Sequence, residues 1–518
     1  MKYKFDLPSK TAILKSWREA SGHVEIPSTV HHDGVDYKVT EIGDSAFRDS
    51  QGLASISIPD TIAKIGHGAF LGCLSLTSVT IPNSVKMIGT GAFCGCRGLT
   101  NIKMPDSFPT VIQRVSAGCS GSTWLDDFRK FITTICPRAF ADCSGLTTIE
   151  IPNSVHLIEY GVFEGCSGLT NVTIPNSVGE IRENAFRGCS GLTSIKIGNS
   201  VTVIGEKAFE GCTGLTSLII PNSVMSIEKD AFKNCTGLTS IEMPGSVISI
   251  GERALKRHLD FKVFNPPNSD TVIVPSAFNG CTNLTKIHVD SSNSKYISRN
   301  PKYTSVDGIL YTKNIDALIF FPAAKQGNVV IPQSVNIIDN HAFYGCSGLK
   351  SIKIPNSVIS IGDSAFAYCS GLKSMEIPNS ITSIGEDAFE GCNGMTNLIF
   401  NAENCEKCGS HRYSPFPNSI TSLTIGENVK SIPDNAFRGL KGLTRLVIPN
   451  SVTTIGSWAF YRCSTLTHIE IPDSVTSIGE NVFIGCTNLE SASLPARFMD
   501  RKDEIFTGCY NLRDITAT

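Results

Sequence analysis

The sequence predicts a parallel β-solenoid built from 23-residue coils, and three observations carry that prediction. The first is the spacing of phenylalanine. Phe47, Phe70 and Phe93 lie 23 residues apart, as do Phe140, Phe163, Phe186, Phe209 and Phe232. The phase passes through Leu255 to Phe278, resumes at Phe343, Phe366 and Phe389, and ends with Phe437, Phe460, Phe483 and Phe506. The second is that each interval repeats one apolar pattern, as in AFRGCSGLTSIKIGNSVTVIGEK at residues 185–207. The third is a cysteine three residues after the phenylalanine in coil after coil. A chain of 518 residues would otherwise suggest three or four domains. A unit this short has no core of its own, so it must stack on its neighbours to bury one.

Each position of the coil has a physical reason. Counting from the phenylalanine, apolar residues fall at +6, +9, +11, +15 and +18, which in that unit are Leu192, Ile195, Ile197, Val201 and Ile204. The +9/+11 alternation has the period of a strand, which predicts strands at 53–58, 76–81, 146–151, 169–174 and 192–197. Proline at +12 (Pro59, Pro82, Pro175) lacks the N–H a ladder needs and ends the strand. The Asn-Ser that follows is turn chemistry whose side-chain amide can satisfy backbone groups at the corner. A second extended piece, VxxI, then leads through Ala-Phe into a brief helical or 3₁₀ turn. Glycine at +19 (Gly43, Gly66, Gly205) gives way to Pro433 at the same phase, so a positive φ is not required there and close packing is the better reading.

The nineteen cysteines are read by the same phase. Fourteen (Cys73, Cys96, Cys143, Cys166, Cys189, Cys212, Cys235, Cys281, Cys346, Cys369, Cys392, Cys463, Cys486 and Cys509) occupy +3, and Cys119 fits it in a decayed coil. Secreted disulfide frameworks join different positions of a small chain. A column at one phase reads instead as small, buried, free thiols. Stacked coils bring the Cα atoms to roughly 5 Å, but parallel Cβ vectors make the disulfide torsion awkward.

Segments such as LTSIKI, IPNSV and IGEKAFEGC resemble the BspA-type (Treponema pallidum-type) leucine-rich repeat family, over nearly the whole chain from Val24 onward. The resemblance implies a right-handed solenoid with the LxxIxI strands on its concave face. It also implies a secreted or surface protein of a host-associated bacterium, adhering to a protein or cell-surface glycoprotein ligand. On these terms residues 1–43 form an N-terminal cap and first coil, 44–290 and 326–518 the solenoid, and 291–325 a β-hairpin insertion.

Four places break the repeat. Near the N-terminus, HHDGVDYKV carries His31-His32, which reads as a solvated loop because adjacent strand histidines cannot face one metal ion. Residues 106–139 hold a decayed coil with Ser116 at the phenylalanine phase and Trp124, Phe128 and Phe131 supplying bulk; in residues 253–272, Leu255, His258, Phe261 and Phe264 do the same. The third break, YISRNPKYTSVDGILYTKNIDALIFFP, predicts a hairpin that projects from the solenoid around Asp307-Gly308. It would be either a structural insertion or a binding finger presenting Tyr303, Asp307 and Tyr311, and the coils on either side could still stack if it were removed. The fourth is Cys405-Glu-Lys-Cys408 with His411 nearby. Phe389 to Phe437 is 48 residues, or 25 plus 23, which reads as a connecting loop with two extra residues rather than a zinc site, since a second ligand pair is missing.

Composition narrows the function. With 45 basic and 47 acidic residues the net charge of -2 gives no reason to bind nucleic acid or an anionic membrane. No apolar run reaches the length of a transmembrane segment. Met1–Lys10 has no apolar leader core, which taken alone predicts a cytoplasmic interaction scaffold, the alternative to the surface protein. Nucleophile elbows, phosphate loops, dinucleotide fingerprints and zinc-protease motifs are missing, so neither an enzyme nor a cofactor is expected. What remains is the outward side of the strands. At +10 it presents Lys103, Glu150, Lys196, Glu242, His288, Lys353, Glu376 and Glu470, a mixed-charge candidate binding surface, and a monomer is expected.

Overall fold

The computed structural model describes residues 1–17, 19–106, 135–244, 246–247, 249–250, 275–290, 303–325, 329–410 and 413–517. The decayed coils around Trp124 and Phe261, together with Cys119 and His411, lie outside them. The chain forms two compact units, one of Met1–Val272, Ser276–Cys281 and Asp290–Pro301, the other of Ile273–Pro275, Thr282–Val289 and Lys302–Thr518. Each is a parallel β-solenoid of coils close to 23 residues long.

In the first unit the LxxIxI segments form short strands at Leu53–Ser57, Ser78–Thr80 and Asn101–Lys103, and at Thr148–Glu150, Asn171–Thr173 and Ser194–Lys196. They pair in register, so Ile149 sits beside Val172 and Val172 beside Ile195. The strands are shorter than the sequence predicts because the +6 leucine turns back on its own coil: Leu76 N–H donates to Cys73 O. The VxxI segments make a second ladder through Leu157–Ile158, Glu180–Ile181, Val203–Ile204 and Ser226–Ile227. Between the ladders, the serine of Asn-Ser donates to the previous coil: Ser84 Oγ to Ile62 O, Ser177 Oγ to Val155 O and Ser223 Oγ to Val201 O, each at 2.7 Å. The turn residue thus fills a carbonyl that the strand leaves open at the corner.

The third side departs from the expected helical turn. In the regular coils three alternate backbone N–H groups around the phenylalanine donate forward to the next coil: Lys207 to Lys229 O, Phe209 to Ala231 O and Gly211 to Lys233 O, at 3.0, 2.8 and 2.8 Å. The residues between close tight turns within the coil. To aim the donors this way, the residues two before and two after the phenylalanine adopt left-handed φ, 54° at Lys207 and 74° at Gly211. The required left-handed glycine is therefore the one in Gly-Cys, at +2. The +19 glycines are not left-handed; a Cβ on Gly66 would lie 2.6 Å from Asp44 N, which is the close packing the sequence suggests.

Phenylalanine rings stack inside as a column, 5.3 Å and 1° apart for Phe186 and Phe209, and 5.4 Å and 1° for Phe209 and Phe232. The eighteen described cysteines are free, and those at +3 are buried beside that column. Each +3 thiol donates to the phenylalanine carbonyl of the preceding coil, Cys73 Sγ to Phe47 O at 3.1 Å and Cys212 Sγ to Phe186 O at 3.2 Å. Burial pushes Cys166, Cys212 and Cys463 up to about 12, against the small lowering effect of neighbouring backbone hydrogen bonds.

The first unit opens on a cap in which Lys2–Asp6 pairs antiparallel with Thr11–Ser16, and Thr11–Ser16 parallel with Val35–Ile42. His31 and His32 lie on a strand, Thr29–His32, rather than in a loop. That strand is hairpinned to Val35–Ile42 through Asp33-Gly34.

The second unit corrects two expectations. Its hairpin, Tyr303–Val306 with Ile309–Thr312, continues into Ala317–Phe320 and does not project. Ala317–Phe320 pairs parallel with Ile337–Ile338, and Phe321 stacks 5.0 Å from Phe343 as the first ring of this unit's column. Gly308 O accepts from Ile287 N–H, so the hairpin tip lies against a neighbouring strand. The Cys405–Cys408 segment is also not a loop. It pairs with Ser383–Ile384, placing Cys408 beside Ile384, so Cys-Glu-Lys-Cys occupies the VxxI segment with cysteine at both core positions. Phe416 then takes its own place in the column, 5.4 Å from Phe389 and 6.0 Å from Phe437.

Candidate binding surface

The outward side of the first ladder is where the coil presents residues its core does not use. Odd members of each strand point in, and Lys103, Glu150, Lys196, Glu242, His288, Lys353, Glu376 and Glu470 all point out and are exposed. Register brings several into rows. Glu150, Thr173 and Lys196 stand on adjacent strands, Ile219 stands beside Glu242, and Glu376 is followed by Ile399 and Thr424. Lys103 and Glu150, 47 residues apart, line one open groove of about 530 Å³ together with Asn101, Asp106 and Thr148.

Neighbouring positions are partly structural. The +7 threonines donate back along the strands, Thr170 Oγ1 to Thr147 O at 3.2 Å and Thr193 Oγ1 to Thr170 O at 3.1 Å. Their hydroxyl protons are committed to the coil, which leaves +10 as the freer position. Charge alone misses part of this face. Ile219, Val330 and Val447 occupy the same +10 phase and are 67%, 78% and 74% exposed. The phase was the available signal, since it marks these positions as outward whatever residue fills them. The +8 position adds His23, held at 2.8 Å to Ser55, and His468, held at 2.8 Å to Ser491.

The three finger residues are not presented together. Tyr303 and Tyr311 are 3% and 1% exposed, and burial pushes the Tyr311 hydroxyl up to about 12. Only Asp307 of the three stands in solvent, 3.0 Å from Lys325. Register puts the two rings on opposite faces, Tyr303 with Thr312 and Tyr311 with Thr304, and the hairpin is covered on both, since Ile309, Leu310 and Tyr311 are buried in succession. Cys405 and Cys408 are buried and free, and among the described residues no group of three His, Cys, Asp or Glu gathers as a metal site. No helix of the described residues is long and apolar enough to cross a membrane.

A solenoid with a buried ring column and an open strand face is a repeat scaffold that presents an extended outer surface. The BspA-type leucine-rich repeat region matches residues 34–125, 117–224, 202–318, 312–418 and 413–518, and the chain belongs to that family. Among solved structures, it is similar to a leucine-rich repeat protein from Bacteroides ovatus, at 23% identity and TM-score 0.47 over 99% of this chain and 98% of that one. A leucine-rich cell surface protein from Faecalibacterium prausnitzii follows at 24% identity and TM-score 0.38, over 100% and 92%. The pneumococcal vaccine antigen PcpA matches at 17% identity and TM-score 0.44, over 100% and 96%. No curated protein matches the chain.

Proposed function

We propose that the chain is an adhesin-like binding protein of a host-associated bacterium, working at the cell surface and engaging a protein or glycoprotein partner through its +10 strand face. The observation that supports this is the combination at one phase of exposed charges with large exposed aliphatics, Ile219 beside Glu242 and Ile399 beside Glu376. Single exposed aliphatics are ordinary on a protein surface; what supports the reading is that these share the +10 phase with the charges along one open sheet. Family membership supports an interaction role, and enclosed catalytic chemistry has no place on so open a face.

The test is binding of the purified chain to immobilised extracellular-matrix proteins and to intact epithelial cells. Lys196→Glu with Glu242→Lys should weaken binding at least tenfold while leaving the melting temperature unchanged. Equal binding by the double variant would refute the strand face as the contact.

A further inference from the structure

The turn side of the second unit holds a cluster that neither the coil nor the strand face explains. Arg438 and Tyr461 are both at +1 on adjacent coils, and the Arg438 guanidinium lies 4.3 Å from the Tyr461 ring centre. Arg462, at +2, lies 5.1 Å from the same ring. Trp458 lies in the same turn, with its carbonyl accepting from Tyr461 N–H at 3.1 Å.

Two independent features single the cluster out. The first is backbone conformation. Positions two before and two after the phenylalanine are left-handed in every regular coil, and Ser364, Asp387, Asn435 and Asn481 fill the former as such geometry favours. Trp458 and Arg462 put a bulky aromatic and an arginine into both left-handed positions of one coil, at φ 55° and 57°. That choice costs stability where asparagine and glycine would cost little, and strain retained by a half-buried tryptophan and an exposed arginine points to use. Arg462 is exposed, and its side chain runs over Gly485 of the next coil, 3.1 Å from where a Cβ there would sit.

The second feature is charge. On the same ridge of the first unit the arginines around the phenylalanine are paired: Arg138 with Glu164, and Arg187 with Glu164 at 3.2 Å and Glu210 at 2.9 Å. In the second unit Arg438 reaches only the amide oxygen of Asn435, at 3.3 Å, and among the described residues no carboxylate lies within ion-pair distance of Arg438 or Arg462. The nearest acid along the chain, Asp434, spends an oxygen on Ser457 N–H at 2.7 Å. Two guanidiniums with open hydrogen-bonding edges, held beside tyrosine and tryptophan, form the side-chain set that dominates binding hot spots.

We infer that Trp458, Tyr461, Arg438 and Arg462 form a second docking site, distinct from the strand face, for an acidic polypeptide segment that carries aromatic side chains. The arginines take its carboxylates through paired N–H donors, and Trp458 takes an aromatic ring.

The experiment uses the full chain and a fluorescein-labelled random copolymer of glutamate and tyrosine, read by fluorescence anisotropy, with polyglutamate and heparin alongside. The copolymer should bind, and polyglutamate should bind more weakly. Arg438→Gln with Arg462→Gln should lower copolymer affinity at least tenfold. Trp458→Asn should lower it at least threefold without lowering the melting temperature, because asparagine accepts the left-handed geometry. If the arginine variant is destabilised, Trp458→Asn alone decides the matter. Wild-type affinity in Trp458→Asn, or no copolymer binding by the wild type, overturns the site. Arginine-dependent binding of heparin without copolymer binding also overturns it, in favour of a sulfated polysaccharide.

Discussion

At the residue scale the coil assigns different work to its two most regular side chains. Phe209 is fully buried between two parallel rings, whereas Cys212 fills a small space and donates one thiol hydrogen bond. Phe209→Ala should therefore cost ~3–5 kcal/mol through its cavity, and Cys212→Ala only ~1 kcal/mol. Thermal melts of the two variants check this, and equal shifts would contradict the ring column as the main support. Asp339 shows a different residue-scale effect. It stands at the phase where other coils carry glycine, and burial raises its carboxyl from 3.8 to about 7, against a lowering hydrogen bond from Asn340 N–H. Between those two values the folded chain holds a proton the unfolded chain has lost, so stability from this group falls as pH rises from about 4 to about 7. Asp339→Asn should raise the melting temperature at pH 8 and lose that advantage below pH 4. A constant gap between variant and wild type across this range would count against a buried, titrating Asp339.

Elements show how far the sequence could be read and where it stopped. Strand phase, the proline stop and the thiol column were all legible, because each repeats often enough for one physical cause to be isolated; the corner was legible as a turn, but its donor is the serine hydroxyl and not the asparagine amide. The turn side was not. Its left-handed positions accept Ser45, Lys207, Asn184 and Trp458 alike, so composition hides the geometry that inter-coil hydrogen bonds impose. The Cys405–Cys408 segment was misread because one extra residue shifts it off phase: Cys408 pairs with Ile384, 24 positions earlier rather than 23. The hairpin was misread because its strands antiparallel to the coils hide that Phe321 rejoins the ring column. Two element-scale outcomes follow. Replacing residues 303–321 by a Gly/Ser linker should lower the second unit's melting temperature sharply, since Phe343 and Ile338 lose their covering strand and ring. A linker variant that melts like the wild type would show that the hairpin is dispensable. Adding a chelator should leave the melting temperature unchanged, as Cys405 and Cys408 stand where valine and isoleucine stand elsewhere; a chelator-sensitive melt would reopen the metal reading.

At the scale of the whole molecule, the proposed contact and the core use different positions of one repeat, so the outward face can change without touching the core. Charge reversal at Lys196 and Glu242 is the direct check, because surface substitutions of this kind usually stay within ~0.5 kcal/mol. The forward-pointing N–H groups of the turn side carry a further consequence. Among the described residues, each regular coil shows its C-terminal neighbour a row of donors and its N-terminal neighbour a row of acceptors, as Phe47 to Ala69 O and Phe209 to Ala231 O illustrate. The hydrogen-bonded joint between regular coils is thus the same from one coil to the next, like the knob and socket of one toy brick. Tandem duplication of a 23-residue stretch, cut at any phase, creates no new kind of joint. The reach of the recognition surface can therefore lengthen or shorten by unequal crossing-over within the gene, a far quicker route than remodelling a globular site.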